Sequence, residues 1–361
     1  MGMMIGFLAE YERPISPVVP ANIQKLLQLF DKIAIEAGIG RDASFADEDF
    51  SDVTLLSRAE ILSQSDVIVK VTPDYEDQEY QEASTTAIFI GQYAPFTNAE
   101  LVPHLNELNV NAISLDMIPR TTLAQSMDIL SSMASIAGYQ SVLQGLGKLP
   151  RYAPMMITAA GSIKPSKALV IGAGVAGLQA IATARRMGAM VEAFDTRAAV
   201  KEEVQSLGAK FVEVTGATDD KDAGGYAVEQ SEDYKQRQAA LIQERAIASD
   251  LVITTAQLRG RPAPKLISAE TVEQMKSGSV IVDLAASTGG NCELTEDRKT
   301  ITHHGVTIIG DSSLEDRMPQ DASTLYSNNI IQLLKHIVVD GVIDLTSTDE
   351  ILSSALISSQ R

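Results

Sequence analysis

The chain has 361 residues, 45% hydrophobic and 21% charged, which is enough for two domains that each bury a core. A formal net charge of −18 argues against nucleic acid and against adhesion to anionic lipid, and no apolar run approaches the roughly 20 residues needed for direct membrane insertion. One cysteine, Cys292, excludes an internal disulfide and suits a reducing compartment; His104, His303, His304 and His336 lack metal-ligand spacing, so no metal is expected.

Residues 3–8 read as a first strand rather than a signal peptide, because no basic region precedes the short apolar run of MGMMIGFLAEYERP. Residues 20–30 read as a helix with Ile23, Leu26, Leu27 and Phe30 inward. Apolar runs of strand length recur at 33–36, 67–71, 87–90 and 110–114, with helical stretches between them at 58–64 and 99–106. Strands alternating with helices imply a parallel sheet covered on both faces. This first unit has no glycine fingerprint of its own.

Residues 121–146, TTLAQSMDILSSMASIAGYQSVLQGL, form one long helical pattern without proline, suited to bridging two domains. On a 3.6-residue period Gln125, Asp128, Ser132 and Ser135 fall in one narrow arc, with Ser131 at its edge. Leu123, Met127 and Leu130 make much of the remaining surface apolar. Polar groups on a helix otherwise built for burial need partners. Arg120, after Pro119 at the helix entrance, is placed to pair with Asp128 or with a phosphate; a solvated stripe would leave the same pattern. Residues 154–164 then read as a hairpin arm. Met155, Met156 and Ile157 are too apolar for a free surface hairpin, so a two-fold homodimer through this arm is expected.

The stretch KALVIGAGVAGLQAIATARRMGAMVEAFDTR, residues 167–197, has the order strand, glycine turn, helix, strand, acid. That is the full context a dinucleotide fingerprint requires. Gly172 permits the tight turn, Gly174 lets a pyrophosphate approach the backbone, and Gly177 lets the helix pack close on the strand. The helix N-terminus offers N–H groups and partial positive charge to phosphates. Asp195, eighteen residues after Gly177, accepts ribose hydroxyls and repels a 2′-phosphate, which favours NAD(H) over NADP(H). Further strands are expected near 210–214, 251–255, 279–284 and 306–310, with a mobile polar loop at 215–227. A final amphipathic helix at 328–339 returns to the first unit, and STDEILSSALISSQR reads as a linker as much as a terminus. The expected fold class is α/β, two Rossmann-like doubly wound parallel-sheet domains joined by a long helix. The first domain takes 1–125 plus 320–361, and the NAD(H)-binding domain takes 126–319.

Several segments together resemble one family. IPRTTLAQSMDILSS, AGYQSV, MMITAAGSI, VIGAGVAGLQAIATARRMGA, FDTRAAVKEEVQSLGAKF, AGGYA, TTAQLRGRPAPKLI and SVIVDLAASTGGN are similar to domain I of proton-translocating nicotinamide nucleotide transhydrogenases. The resemblance spans nearly the whole chain. It implies that Arg120, Gln125 and Asp128 form a loop at the nicotinamide end, with Ser131 and Asp128 holding the carboxamide and Gln125 reaching towards a second nucleotide. It implies that Ala173, Gly174 and Val175 meet the pyrophosphate, and that Asp195, Thr196 and Arg197 hold the adenosine ribose. Gly225 and Tyr226 would close over the nucleotide, with Gln238 and Leu258 as further contacts. It also implies NADP(H) on a partner subunit and a proton path through transmembrane subunits. The chain would then sit peripherally on the cytoplasmic or matrix side of an inner membrane.

Alanine dehydrogenases share the fold and are the alternative, alongside an NAD-sensing module. Such an amino-acid oxidoreductase needs an acid/base and cations for the substrate carboxylate. Lys70 matches that family's lysine. The expected histidine is missing from IFIGQYAPF, Ser287 stands where an acid is expected, and Glu12 replaces an arginine, with Arg13 one position later. Transhydrogenation needs none of these groups, because hydride passes directly between two nicotinamide rings and the protein supplies position.

Overall fold

The apolar runs of the N-terminal region become short strands covered on both faces. The computed structural model describes residues 2–214, 232–257 and 259–359. Its first strands are β1 (Met4–Phe7), β2 (Lys32–Glu36), β3 (Thr54–Leu56), β4 (Val67–Val69), β5 (Ile88–Gly91) and β6 (Asn111–Ser114). An antiparallel hairpin follows, β7 (Met156–Thr158) and β8 (Gly161–Ile163). Then come β9 (Lys167–Ile171), β10 (Met190–Phe194), β11 (Lys210–Phe211), β12 (Leu251–Thr254), β13 (Val280–Asp283), β14 (Lys299–His303) and β15 (Val306–Gly310). The last strands are β16 (Val338–Val339), β17 (Val342–Ile343) and β18 (Leu356–Ser358). The chain divides into two units, Met1–Met133 with Met318–Arg361, and Ala134–Arg317.

The first unit holds a seven-stranded sheet in the order β18-β6-β5-β4-β1-β2-β3. From β1 the chain winds outward through β2 and β3, then returns to β4 and winds the other way, a doubly wound sheet. β1, β4 and β5 are buried at every position, as strands covered on both faces must be. The helix expected at 20–30 is only a 3-10 turn, Pro20–Asn22, and one α-turn, Ile23–Leu26. Asn22 is buried there and donates to Ser327 Oγ at 2.9 Å and Asn328 Oδ1 at 3.0 Å, so side-chain bonding to a distant helix replaces helical continuation. That distant helix, Pro319–Ile337, starts earlier than expected and buries Tyr326, Ile330, Ile331, Leu333 and Leu334. Residues expected as a linker instead form the helix Glu350–Ala355 and β18, which lies antiparallel on β6.

The second unit repeats the winding, in the order β11-β10-β9-β12-β13-β15-β14. Among its described strands only β14, against β15, is antiparallel. Alternate residues of its central strands feed opposite faces. Val170, Ala193, Ile253 and Val282 pack with Val142 and Ile181 on one side, while Leu169, Val252 and Ile281 pack with Ile242 and Val272 on the other. Each valine, leucine and isoleucine among them contributes about 1.5–3 kcal/mol by leaving water. Among the glycines, Gly138 of the Ile129–Lys148 helix and Gly177 of the Val175–Arg186 helix are demanded by contact. A Cβ at Gly138 would overlap the Ala176 carbonyl, and one at Gly177 would overlap the Gly172 carbonyl oxygen, both backbone atoms that cannot step aside.

Gly177→Ala should therefore lower the stability of this unit by at least about 2 kcal/mol in urea unfolding, because overpacking falls on backbone. Gly174→Ala, whose Cβ would meet nothing within 4 Å, should change stability by less than about 0.5 kcal/mol. Equal effects of the two changes would contradict this packing.

Candidate functional site

β9 ends at Ile171, and the chain turns through Gly172, Ala173 and Gly174 into the Val175–Arg186 helix. Gly172 sits at φ +100°, where a side chain would be strained and would collide with Thr255. Its N–H donates to the Phe194 carbonyl at 2.8 Å, carrying the β9–β10 ladder one step into the turn. Thr255 Oγ1 donates to the Gly172 carbonyl at 3.2 Å and holds the turn from the β12 side. The first helical bond runs from the Leu178 N–H to Gly174 at 2.8 Å. Among the described residues no side chain caps this helix, and a Cβ on Gly174 would meet nothing within 4 Å, so the leading N–H groups present the positive end of the dipole without an internal acceptor there. This end is built to receive an anion.

Asp195, just past β10, closes the other side of the turn. Its Oδ2 accepts the Ala173 N–H at 2.7 Å, and Arg197 donates to it through its backbone N–H, Nε and Nη2 at 2.8 to 3.0 Å. Burial pushes the carboxyl pKa up, but the bonds from Arg197 and Ala173 outweigh it, and the group is held below its ordinary value. The same pair holds the Arg197 guanidinium above its own. The Ala173 amide, expected at a pyrophosphate, is thus committed to Asp195. Gly174 and Val175 remain at the helix mouth, and Thr196 is exposed. Gln238 is half-buried on the helix Glu232–Ala248. Gly225 and Tyr226, with all of 215–227, and Leu258 lie outside the described residues.

Two polar residues of this unit were not singled out from the sequence. Asn291, fully buried, accepts the Ala256 N–H at 3.0 Å and donates to the Ala256 and Pro264 carbonyls at 2.8 and 2.9 Å. Asp283, also fully buried, accepts from the N–H of Ala285 and of Cys292 and from Thr295 Oγ1. Together they fix the two loops that leave β12 and β13. Their signal was polarity directly after an apolar strand, in VDLAASTGGN. Cys292 lies in the core beside them, its thiol pKa raised by burial, and is structural.

The second group of expected residues belongs to the first unit, and here the helical arc has to be corrected. The helix begins at Ile129, Gln125 lies on a separate 3-10 turn, Gln125–Met127, and Asp128 between them is extended at φ −77° and ψ 94°. Asp128 is the N-cap. Its Oδ1 accepts the Ser131 N–H at 3.0 Å and its Oδ2 the Ser131 hydroxyl at 2.6 Å. An aspartate that can bond its own downstream amides favours that position over a helix interior. The turn before it is pinned by Asn329 Nδ2, which donates to the Ser126 carbonyl at 2.8 Å. Gln125 and Arg120 are exposed, Arg120 is not paired with Asp128, and Leu123 is 67% exposed rather than part of an apolar face.

Lys70, at the end of β4, is fully buried, and burial lowers its pKa. It pairs with Asp74 and lies 5.8 Å from the Tyr75 ring centroid. Nearby Glu10 has its pKa raised by burial, against the pull of the Thr72 N–H, Lys70 and Arg13. Ser287 is exposed on the 3-10 turn Ala286–Thr288. The groove of about 410 Å³ in the first unit is lined by Arg58 and by the acids Asp74, Glu76, Glu79 and Glu82 with Gln78, and holds no fingerprint residue.

Known proteins share both units. Residues 10–137 match the N-terminal domain of the family described as alanine dehydrogenase/PNT, and residues 141–361 match its C-terminal domain. An NAD(P) transhydrogenase subunit alpha chain of Rickettsia prowazekii is 42% identical over 90% of this chain and 86% of its own length. The crystal structure of a transhydrogenase from Sinorhizobium meliloti superposes with a TM-score of 0.88 at 36% identity, over 99% of both chains. An L-alanine dehydrogenase structure shares the fold, with a TM-score of 0.78 at 24% identity over 99% of this chain and 96% of its own.

The depressed pKa of Asp195 makes a stability statement with a definite sign. A carboxyl whose folded pKa lies below its ordinary 3.8 adds stability that is complete above that value and is lost as pH falls through the folded one. Asp195→Asn should cost about 2 kcal/mol at neutral pH, the scale of charge-assisted hydrogen bonds. Urea unfolding at a series of pH values should find the gap between the two proteins closing as pH drops below 3.8. A gap that stays constant into acid would assign Asp195 a neutral carboxyl.

Proposed function

Because the chain belongs to the alanine dehydrogenase/PNT family, on its transhydrogenase alpha-subunit branch, we propose that it binds NAD(H) at the Gly172–Gly177 turn and takes part in hydride exchange with NADP(H) held by a partner subunit. The observation that carries this reading is Asp195. An ionised carboxylate, bonded to the glycine turn itself, stands beside an uncapped helix end. That pairing suits a dinucleotide whose ribose is unphosphorylated, since the charge accepts hydroxyls and repels a 2′-phosphate.

In this mechanism the chain's residues position and do no acid–base chemistry. Bound NADH supplies the hydride from C4 of its ring. The helix end and Gly174 receive the pyrophosphate, while Asp195, Thr196 and Arg197 hold the adenosine ribose. Asp128, its carboxylate oriented by both Ser131 groups, receives the carboxamide, with Arg120, exposed in the same unit, assigned beside it. Gln125, exposed and carried on the pinned 3-10 turn, reaches the second nucleotide. Gly225, Tyr226, Gln238 and Leu258 are assigned as further contacts. Among the described residues no helix is long and apolar enough to cross a membrane. Coupling to proton movement is assigned to membrane-embedded partner subunits, to which this chain attaches on the cytoplasmic or matrix side.

The dehydrogenase reading is disfavoured by the residues that suggest it, each taken in its own unit. Lys70 is already paired with Asp74 and faces Glu10, so its charge is compensated internally, and Ser287 offers no carboxylate. A chain with these residues should give no absorbance change with alanine and NAD⁺.

Gln125→Asn shortens the side chain by one methylene and should leave NADH affinity near normal, while slowing transfer roughly 10²-fold in the assembled complex. Asp128→Asn keeps the N-cap, because asparagine caps as well as aspartate, yet should weaken NADH binding itself about tenfold or more. Fluorescence titration of each variant alone, then single-turnover transfer with the partner, separates the two. A full transfer rate in the Gln125 variant would move the reacting rings elsewhere.

The arm β7–β8 supports a homodimer. Met155 is 61% and Ile157 75% exposed, a cost that a second copy would remove. Sedimentation should return about twice 38.7 kDa, and Ile157→Asp should shift it towards a single chain.

A further inference from the structure

The hairpin at the edge of the second sheet sets two imidazoles against a carboxylate. β14 ends at His303, and the turn passes through His304 and Gly305, at φ 48° and 77°, before β15 begins. The tip is held in place. The Gly278 N–H donates to the Gly305 carbonyl at 2.8 Å and the Thr307 N–H to the Ser279 carbonyl at 3.0 Å. Just ahead of that segment lies the helix Ala269–Gln274, capped by Ser268 and anchored by buried Thr271 and Val272. Glu273 of this helix faces the hairpin. Its Oε1 lies 3.3 Å from His303 Nε2 and 3.9 Å from His304 Nε2, and the two rings stand 4.6 Å apart. One donor atom from each residue falls within 4.8 Å of the others, the sole such group among the described residues.

We propose that Glu273, His303 and His304 form a surface site for a borderline divalent transition metal of the zinc class, with water completing the shell. Imidazole nitrogen and carboxylate oxygen are the donors such ions take, at bonds of about 2.0–2.1 Å, which put tetrahedral ligands about 3.4 Å apart. The Glu273–His303 edge is already near that length, and small rotations of exposed side chains close the others. Magnesium and calcium require shells of oxygen and do not fit. A bound ion would clip the helix to the hairpin. The spacing of the ligands in the chain hid this: Glu273 and His303 are 30 residues apart, and a polar turn before a strand was expected at 303–304 but not the strand β14 that pairs with it.

The test is isothermal titration of the full chain with Zn²⁺ at neutral pH in excess Mg²⁺, which saturates non-specific acidic sites. One Zn²⁺ per chain is expected. Glu273→Gln keeps the size and hydrogen bonding of the side chain, and His304→Asn suits the left-handed turn, so both variants should fold. Each should bind Zn²⁺ at least about tenfold more weakly. His104→Ala, which removes the surface pair with Asp77, should bind as the parent does. Melting of each variant without metal should match the parent, and the parent alone should gain melting temperature on adding Zn²⁺. No binding by the parent, or parent-like binding by both site variants, would overturn the proposal.

Discussion

A carboxylate withdrawn from water at the end of a parallel strand must be bonded on every side or lose its charge, and Asp195 is bonded. It takes one donor from the glycine turn and three from Arg197, so it ties β9 and β10 together where neither ladder reaches. The turn's shape depends on that bond as much as on its glycines. Gly172 supplies the left-handed angle, Gly177 supplies room for the helix, and Asp195 holds the intervening amide in place. Arg197 keeps Asp195 ionised through the same bonds that fix its position.

How much of this was legible in the sequence follows from the range of each requirement. The fingerprint was readable because its demands are local, a strand, three glycines and an acid within one βαβ unit. The helix Arg58–Gln64 was readable for the same reason. Ser57 accepts the Glu60 N–H and Glu60 accepts the Ser57 N–H, the reciprocal cap that S-x-x-E announces. The edge strand β11 was expected at 210–214, but two other edge strands were not readable. β3 and β14 are largely exposed, so no buried face imprints a period on TLL or KTITH. The break at Asp128 was hidden by a pattern that suits a helix on both sides of it. The competition of that carboxylate for the Ser131 amide decided the outcome, along with a clamp from Asn329, about 200 residues downstream.

The buried polar cluster around Lys70 illustrates how one fold hosts different chemistry. Burial alone would strip the charge from Lys70 and from Glu10, yet each lies in the field of the other. With Asp74 also in contact, opposite charges meet at the sheet end between β4 and β5, yet burial still leaves the Lys70 pKa lowered and the Glu10 pKa raised. The same positions could serve a substrate carboxylate only if these acids stepped aside. The architecture alone leaves open which chemistry such positions serve.

The sheet of the first unit is completed by the last strand of the chain. β18 covers the β6 edge, and the Ser358 hydroxyl bonds the Val110 carbonyl across 248 residues of sequence. A ribosome adding about 5–20 residues per second makes β6 roughly 10 to 50 s before its cover. During that interval the entire second unit emerges, and it is contiguous, so it can close on itself first. The first unit meanwhile waits with an open strand edge, the kind of surface that pairs with neighbouring chains. The order of synthesis thus makes the discontinuous unit the one in need of protection, and places the final nine residues of helix and strand from Glu350 to Ser358 among those on which productive assembly turns.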